Sequence, residues 1–231
     1  MMEHQQHINQ SHRPDRPRTC EIRPHPTPVP MPRFVEPRRS NPVRQKFESH
    51  LRSAIAYCSK RGLDLRFAMV GAADRGLVTT DGSGFRLGYC LEVAGAGIPD
   101  PWDAGDLVLA ALRDAVWNTA ERNVDDLGDR FVLRLRDRVD PSVTHTCEVS
   151  VTARDADGAL LVRARDPSTG GCGFHRMEGT ADFDRMVSDL HPDGTPSGEL
   201  RRRCLVAIGE DPGRSTALVY AEAVVGMHRA V

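Results

Sequence analysis

No apolar run in this 231-residue chain approaches the ~20 residues needed to cross a bilayer. The opening residues, MMEHQQHINQ, lack the apolar core that a signal peptide carries. Cysteines at metal-ligand spacing are missing too. Cys20, Cys58, Cys90, Cys147, Cys172 and Cys204 are scattered, with no CxxC or CxxH among them, which argues against a zinc site. Most sit among apolar neighbours and read as reduced core residues. Net charge is −1, so no overall imbalance draws the chain to nucleic acid or to a membrane. No internal repeat is visible. What remains, with 39% hydrophobic residues and a mean hydropathy of −0.42, is a globular protein with a polar appendage. The expected compartment is the cytoplasm, and no membrane partner is expected.

Residues 1–42 form the appendage. Nine prolines, from Pro14 to Pro42, are interleaved with Arg13, Arg16, Arg18, Arg23, Arg33, Arg38 and Arg39. Such a segment buries too little apolar area to offset its ordering entropy, so it reads as a disordered tail. Its basic charge suits contact with polyanions; the plainer reading is a solvated tail. Folded patterning begins beyond it, with an α/β core expected over 43–165 and a loop and helical part over 166–231 packed on that core.

The core opens with helical spacing at Phe47, Leu51, Ala54, Ile55 and Cys58, and Gly62 follows as a stop. A buried-type strand is expected at 65–70, a second at 85–94, and a helix over 102–123. RFVLRLRDR alternates, with Phe131, Leu133 and Leu135 inward and Arg130, Arg134 and Arg136 outward. HTCEVSVTA alternates as well, placing Cys147, Val149 and Val151 opposite Glu148, Ser150 and Thr152. ALLVRAR is a further strand, DPSTGGCGFHRMEGT a loop, and helical patterns close the chain at 182–190, 199–207 and 216–229. The order predicts an α/β (α+β) fold: a mixed sheet with a helical C-terminal part.

The stretch GAADRGLVTTDGSGFRLGYCLEV, 71–93, carries the functional question. A strand ending in glycine and followed by a glycine-containing loop offers backbone N–H groups to phosphate oxygens. Carboxylates at i and i+2 of the next strand point the same way. With a third acid from a neighbouring strand they hold two divalent cations, which activate a hydroxyl and neutralise a triphosphate during in-line transfer.

In spacing, this stretch resembles the DNA polymerase beta-like nucleotidyltransferase superfamily, in its cyclic-nucleotide-synthase-like branch. AMVGAADRG matches the first strand and its loop, with Gly71, Arg75 and Gly76 in place. SGFRLGYCLEV matches the acid-bearing strand, with Ser83 in place, and CEVSV supplies Glu148 as the third acid. The resemblance implies a nucleotide site formed by Gly71, Ala72, Arg75, Ser83, Arg86 and Glu148. It also implies that Ser83, Arg86 and Glu148 converge beside the Gly71 loop.

The departures are chemical. Ala72 replaces the family's serine, and Gly84 and Arg86 stand where it has its two metal-binding acids. A guanidinium cannot be deprotonated to make room for a cation. The expectation is a pseudoenzyme without cofactor that binds a nucleotide, an RNA end or a protein partner. Two alternatives stand beside it. One is an active magnesium-dependent nucleotidyltransferase with relocated carboxylates, such as Asp81 and Glu148. The other is an unrelated α+β interaction module. Arg86 itself has two readings: a direct phosphate ligand, or a structural ion pair with Glu148 or Asp81. Cys172 with His175, His145, Arg201–Arg203 and the Arg130, Arg134, Arg136 stripe are weaker signals, better explained as loop or solvated surface.

Overall fold

The computed structural model describes residues 31–68, 73, 77–94, 100–117, 123–166, 168–191 and 196–230. They form a mixed nine-stranded sheet covered by helices on both faces. In chain order the elements are β1 (Arg33–Phe34), α1 (Pro37–Ser59), β2 (Leu65–Phe67), β3 (Thr79–Thr80), β4 (Phe85–Val93) and α2 (Pro101–Val116). There follow β5 (Val124–Asp126), β6 (Phe131–Arg136), β7 (Thr144–Arg154), β8 (Leu160–Arg165) and β9 (Cys172–Arg176). Three helices end the chain: α3 (Phe183–Leu190), α4 (Gly198–Glu210) and α5 (Thr216–His228). This is the α/β class that the element order predicts.

β4 and β7 pair in parallel at the centre, with Gly88 opposite Glu148 and Arg86 opposite Thr146. Every other pairing is antiparallel. Short strands flank the central pair. β3 and β2 share the outer edge of β4, and β6 and β8 share that of β7. One sheet face carries Leu87, Tyr89, Leu91, Phe131, Leu133, Cys147, Val149 and Val151 against α1 and α2. The opposite face carries Cys90, Leu160 and Val162 against α3, α4 and α5. With both faces covered, Glu148, Ser150 and Thr152 are buried rather than solvated.

Three expectations need correction. The tail boundary at 42 falls inside α1, which starts at Pro37. Proline is tolerated in a first turn, where its missing N–H has no helical partner. Val35 N–H donates to Val78 O at 2.8 Å, Phe34 pairs with Thr79, and Val35 is buried. Residues 31–42 are therefore anchored by the sheet despite their composition. Second, the expected loop around Cys172 is strand β9, held to β8 along its length, with Phe174 packed on the first core cluster. Glycine-rich composition hides a strand whose order comes from its neighbour. Third, the described part of the second helix ends at Val116, and Val124–Asp126 forms β5 at a sheet edge. No helix among the described residues is long and apolar enough to cross a membrane.

Candidate functional site

The site grows from one close approach. A β-carbon on Gly88 would lie 2.0 Å from Thr216 Oγ1 and 2.9 Å from Ala217 N. Only glycine lets the first turn of α5 lie directly on β4. That contact brings the free N–H groups of the helix start over the strand position opposite Glu148.

Glu148 meets them. Its Oε2 accepts the Thr216 backbone N–H at 2.9 Å and the Thr216 hydroxyl at 3.0 Å. A carboxylate there also complements the positive end of the helix dipole. Its Oε1 accepts from Arg86 Nε at 3.0 Å and Nη2 at 2.7 Å. Arg130 Nε stands 3.4 Å from the same oxygen. Glu148 is 4% exposed, and both of its oxygens are engaged.

The two guanidiniums then bind the turn between α4 and α5. Arg86 Nη1 donates to Pro212 O at 2.8 Å, and Arg86 Nη2 donates to Arg214 O. Arg130 Nη2 donates to Gly213 O, while its Nη1 pairs with Asp129 at 2.8 Å. Three consecutive carbonyls of the chain are thus held by the two arginines that face Glu148. Ser150 and Ser215 hydroxyls meet at 3.2 Å beside them.

Of the expected site residues, Arg86 and Glu148 come together on one sheet face. Ser83 lines the same cavity as Arg86 but is turned to Asp81, whose Oδ1 accepts from the Ser83 N–H at 2.8 Å and from its hydroxyl at 2.5 Å. The Ser83 hydroxyl, then its N–H, hold the Asp81 carboxyl below its ordinary value. Gly71, Ala72 and Arg75 lie outside the described residues. The cavity, of about 360 Å³, lies between the β3–β4 hairpin, the start of β7 and the end of α4.

These residues do not fit a two-cation site. Gly84 has no side chain, and its φ of +153° is one that L residues rarely adopt. A β-carbon there would lie 2.0 Å from Thr144 O. Arg86 brings a fixed cation, and Glu148 has no oxygen to spare for a hard cation that demands several. Asp81 lines the cavity and is bonded to Ser83, whereas Glu148 is engaged by Arg86, Arg130 and Thr216. Glu92, farther along β4, is 2% exposed and held by Arg66 and Arg154.

The weaker signals resolve differently. Arg130 is buried at 8% exposure, not part of a solvated stripe, whereas Arg134 pairs with Asp125 on the surface. His145 accepts the Phe85 N–H at 3.0 Å and bonds Asp137 at 3.0 Å, on the face away from Glu148. Cys172 and His175 sit three positions apart on β9, so they face opposite sides. Arg202 and Arg203 pair with Glu199, and Arg201 stacks on Phe34 with 4.8 Å to the ring centroid. Sequence reading missed Arg130, Thr216 and the turn carbonyls. The available signal was Gly88, a glycine inside an otherwise apolar strand, which marks a close backbone approach.

Fold and site together define an α/β protein with a mixed sheet and a buried arginine–carboxylate cluster at its centre. Solved structures of CD-NTase enzymes are similar in fold. CdnG of Bradyrhizobium diazoefficiens, in complex with GTP, has a TM-score of 0.48 at 13% identity, covering 83% of this chain and 66% of that one. CdnC of E. coli with ATP gives 0.48 at 9% identity, covering 85% and 62%. Apo DncV of Vibrio cholerae gives 0.47 at 10% identity, covering 74% and 60%. The chain thus spans somewhat under two thirds of the length of these structures. No family model and no curated protein sequence matches the chain.

Proposed function

We propose that this chain is a noncatalytic protein of nucleotidyltransferase type, which binds a nucleotide-class ligand without metal. One observation carries the reading. The surviving acid, Glu148, spends both oxygens on Arg86, Arg130 and Thr216. A guanidinium at the second acid position supplies internally the charge that a cation would supply in a working enzyme. The strained backbone at Gly84 removes the first acid position as well. Of the two roles open to Arg86, the geometry favours the structural ion pair. The cavity beside it is the place for a ligand, since pockets of this size commonly take small molecules.

The test is incubation of the full chain with ATP and GTP in magnesium or manganese, with nucleotide consumption followed over time. No consumption above a heat-treated control is expected. Consumption that disappears in Glu148→Ala would overturn the reading in favour of a working enzyme. Calorimetric titration of the same nucleotides, with and without magnesium, tests the binding half. Heat that requires the metal would contradict it.

A further inference from the structure

The cavity beside Arg86 has an electrostatic character that decides which part of a ligand it can hold. Among its described lining residues, the charged side chains are Asp81 and Arg86. A guanidinium has five N–H donors, and four of those on Arg86 go to Glu148, Pro212 O and Arg214 O. Its charge is matched by Glu148 at 2.7 Å. No cation stands within ion-pair distance of Asp81 among the described residues; its bonds from Ser83 first, and the charge of Arg86 after them, favour the ionised form. The cavity therefore presents a carboxylate and no free cation among its described residues.

The rest of the lining is apolar and hydroxylic. Thr79, Arg86 and Thr146 form one row across β3, β4 and β7, on one face of the sheet. Thr79 and Thr146 both line the cavity, and no described group bonds either hydroxyl. Ile208 and Pro212 add apolar lining. Hydroxyls without protein partners beside apolar lining suit a flat heterocycle with a polyhydroxylated sugar. They do not suit a tetraanion.

We infer that this cavity takes the nucleoside part of its ligand, and that a phosphate chain opposes binding there. The inference rests on the proposed nucleotide-class ligand and narrows it to the unphosphorylated form. An added negative charge near an ionised carboxylate is repelled by it. A nucleoside is therefore expected to bind about five- to tenfold more tightly than its triphosphate. Raising the salt should narrow the gap by screening.

The experiment is calorimetry on the full chain with adenosine, guanosine, ATP and GTP, without divalent metal, at low and moderate ionic strength. Expected is a nucleoside that binds more tightly than its own triphosphate. Asp81→Asn should shrink the difference, and Thr146→Val should weaken the nucleoside while circular dichroism stays unchanged. A triphosphate that binds as tightly or more tightly, with its advantage lost in Arg86→Ala, overturns the inference but leaves the nucleotide-class reading standing. Absence of heat with all four compounds overturns both.

Discussion

Arg86 Nη2 lies 2.7 Å from Glu148 Oε1, and the other oxygen of that carboxylate accepts the Thr216 N–H at 2.9 Å. One side chain thus ties β4, β7 and the start of α5 together. Its environment explains how an acid is held in the interior at this position. Removing it would leave two guanidiniums facing each other and an uncapped helix start.

Glu148→Ala should therefore destabilise the fold by about 3–5 kcal/mol, the range for breaking one partner out of a buried pair. Urea unfolding of the variant measures it. The cycle with Arg86→Met tests the coupling. The double variant should lose less than the sum of the singles, with an interaction energy of about 0.5–3 kcal/mol. Strict additivity would mean that the pair does not hold α5 to the sheet.

Placing acids at positions 84 and 86 should not build a metal site. Gly84→Asp places a β-carbon against Thr144 O on a backbone of φ +153°, a strain of about 1–3 kcal/mol. The Gly84→Asp, Arg86→Asp double variant also deprives Glu148 of its main partner. We expect a lower urea midpoint and no magnesium-dependent nucleotide consumption. Magnesium-dependent consumption by this variant would show that β4 and β7 can shift to form a metal site. Gly88→Ala is the companion test of the α5 contact. Its methyl meets Thr216 Oγ1 at 2.0 Å, and overpacking of this kind costs about 1–3 kcal/mol.

The thiols should separate by burial. Cys58 is pushed up to about 11 and Cys90 and Cys204 to about 12, in each case by burial first. Cys147 is also raised by burial. At pH 8 these four hold almost no thiolate, the reactive form. Cys172, on β9, is half-exposed. Timed labelling followed by peptide mapping should find Cys172 modified well before Cys58, Cys90, Cys147 and Cys204. Equal rates would mean that the core opens on the labelling timescale.

Much of this was legible because period and burial coincide. α1 buries Phe47, Leu51, Ala54 and Cys58 at the spacing the sequence displays. β6 and β7 alternate as written, though both faces of β7 are covered. The face of β7 that carries Glu148 was legible from its alternation with Cys147 and Val149. The partners of Glu148 were not, because Arg130 and Thr216 reach it from distant parts of the chain through register and helix packing. β9 and the start of α1 were misread for a related reason. Glycine and proline content reports local preference, whereas the pairing of β9 with β8 and of β1 with β3 is decided by the neighbouring strand.

The acid limb of stability should carry the mark of Asp137. The bond to the His145 ring, followed by the N–H groups of Asp140 and Val139, brings its carboxyl down to about 2. An unfolded aspartate titrates near 4. A carboxyl depressed on folding stabilises the native state above the unfolded value, and that contribution disappears as pH falls through the folded one. The window is thus from about pH 4 down to 2. The Phe85 N–H donates to His145 Nδ1, so the ring meets Asp137 through a protonated Nε2 in its neutral form. Asp137→Asn should lower the urea midpoint at pH 6. The gap from the unchanged chain should then shrink as the pH is taken from 4 to 2. A gap that stays constant across that range would place the stabilisation in packing rather than in the ionised carboxylate.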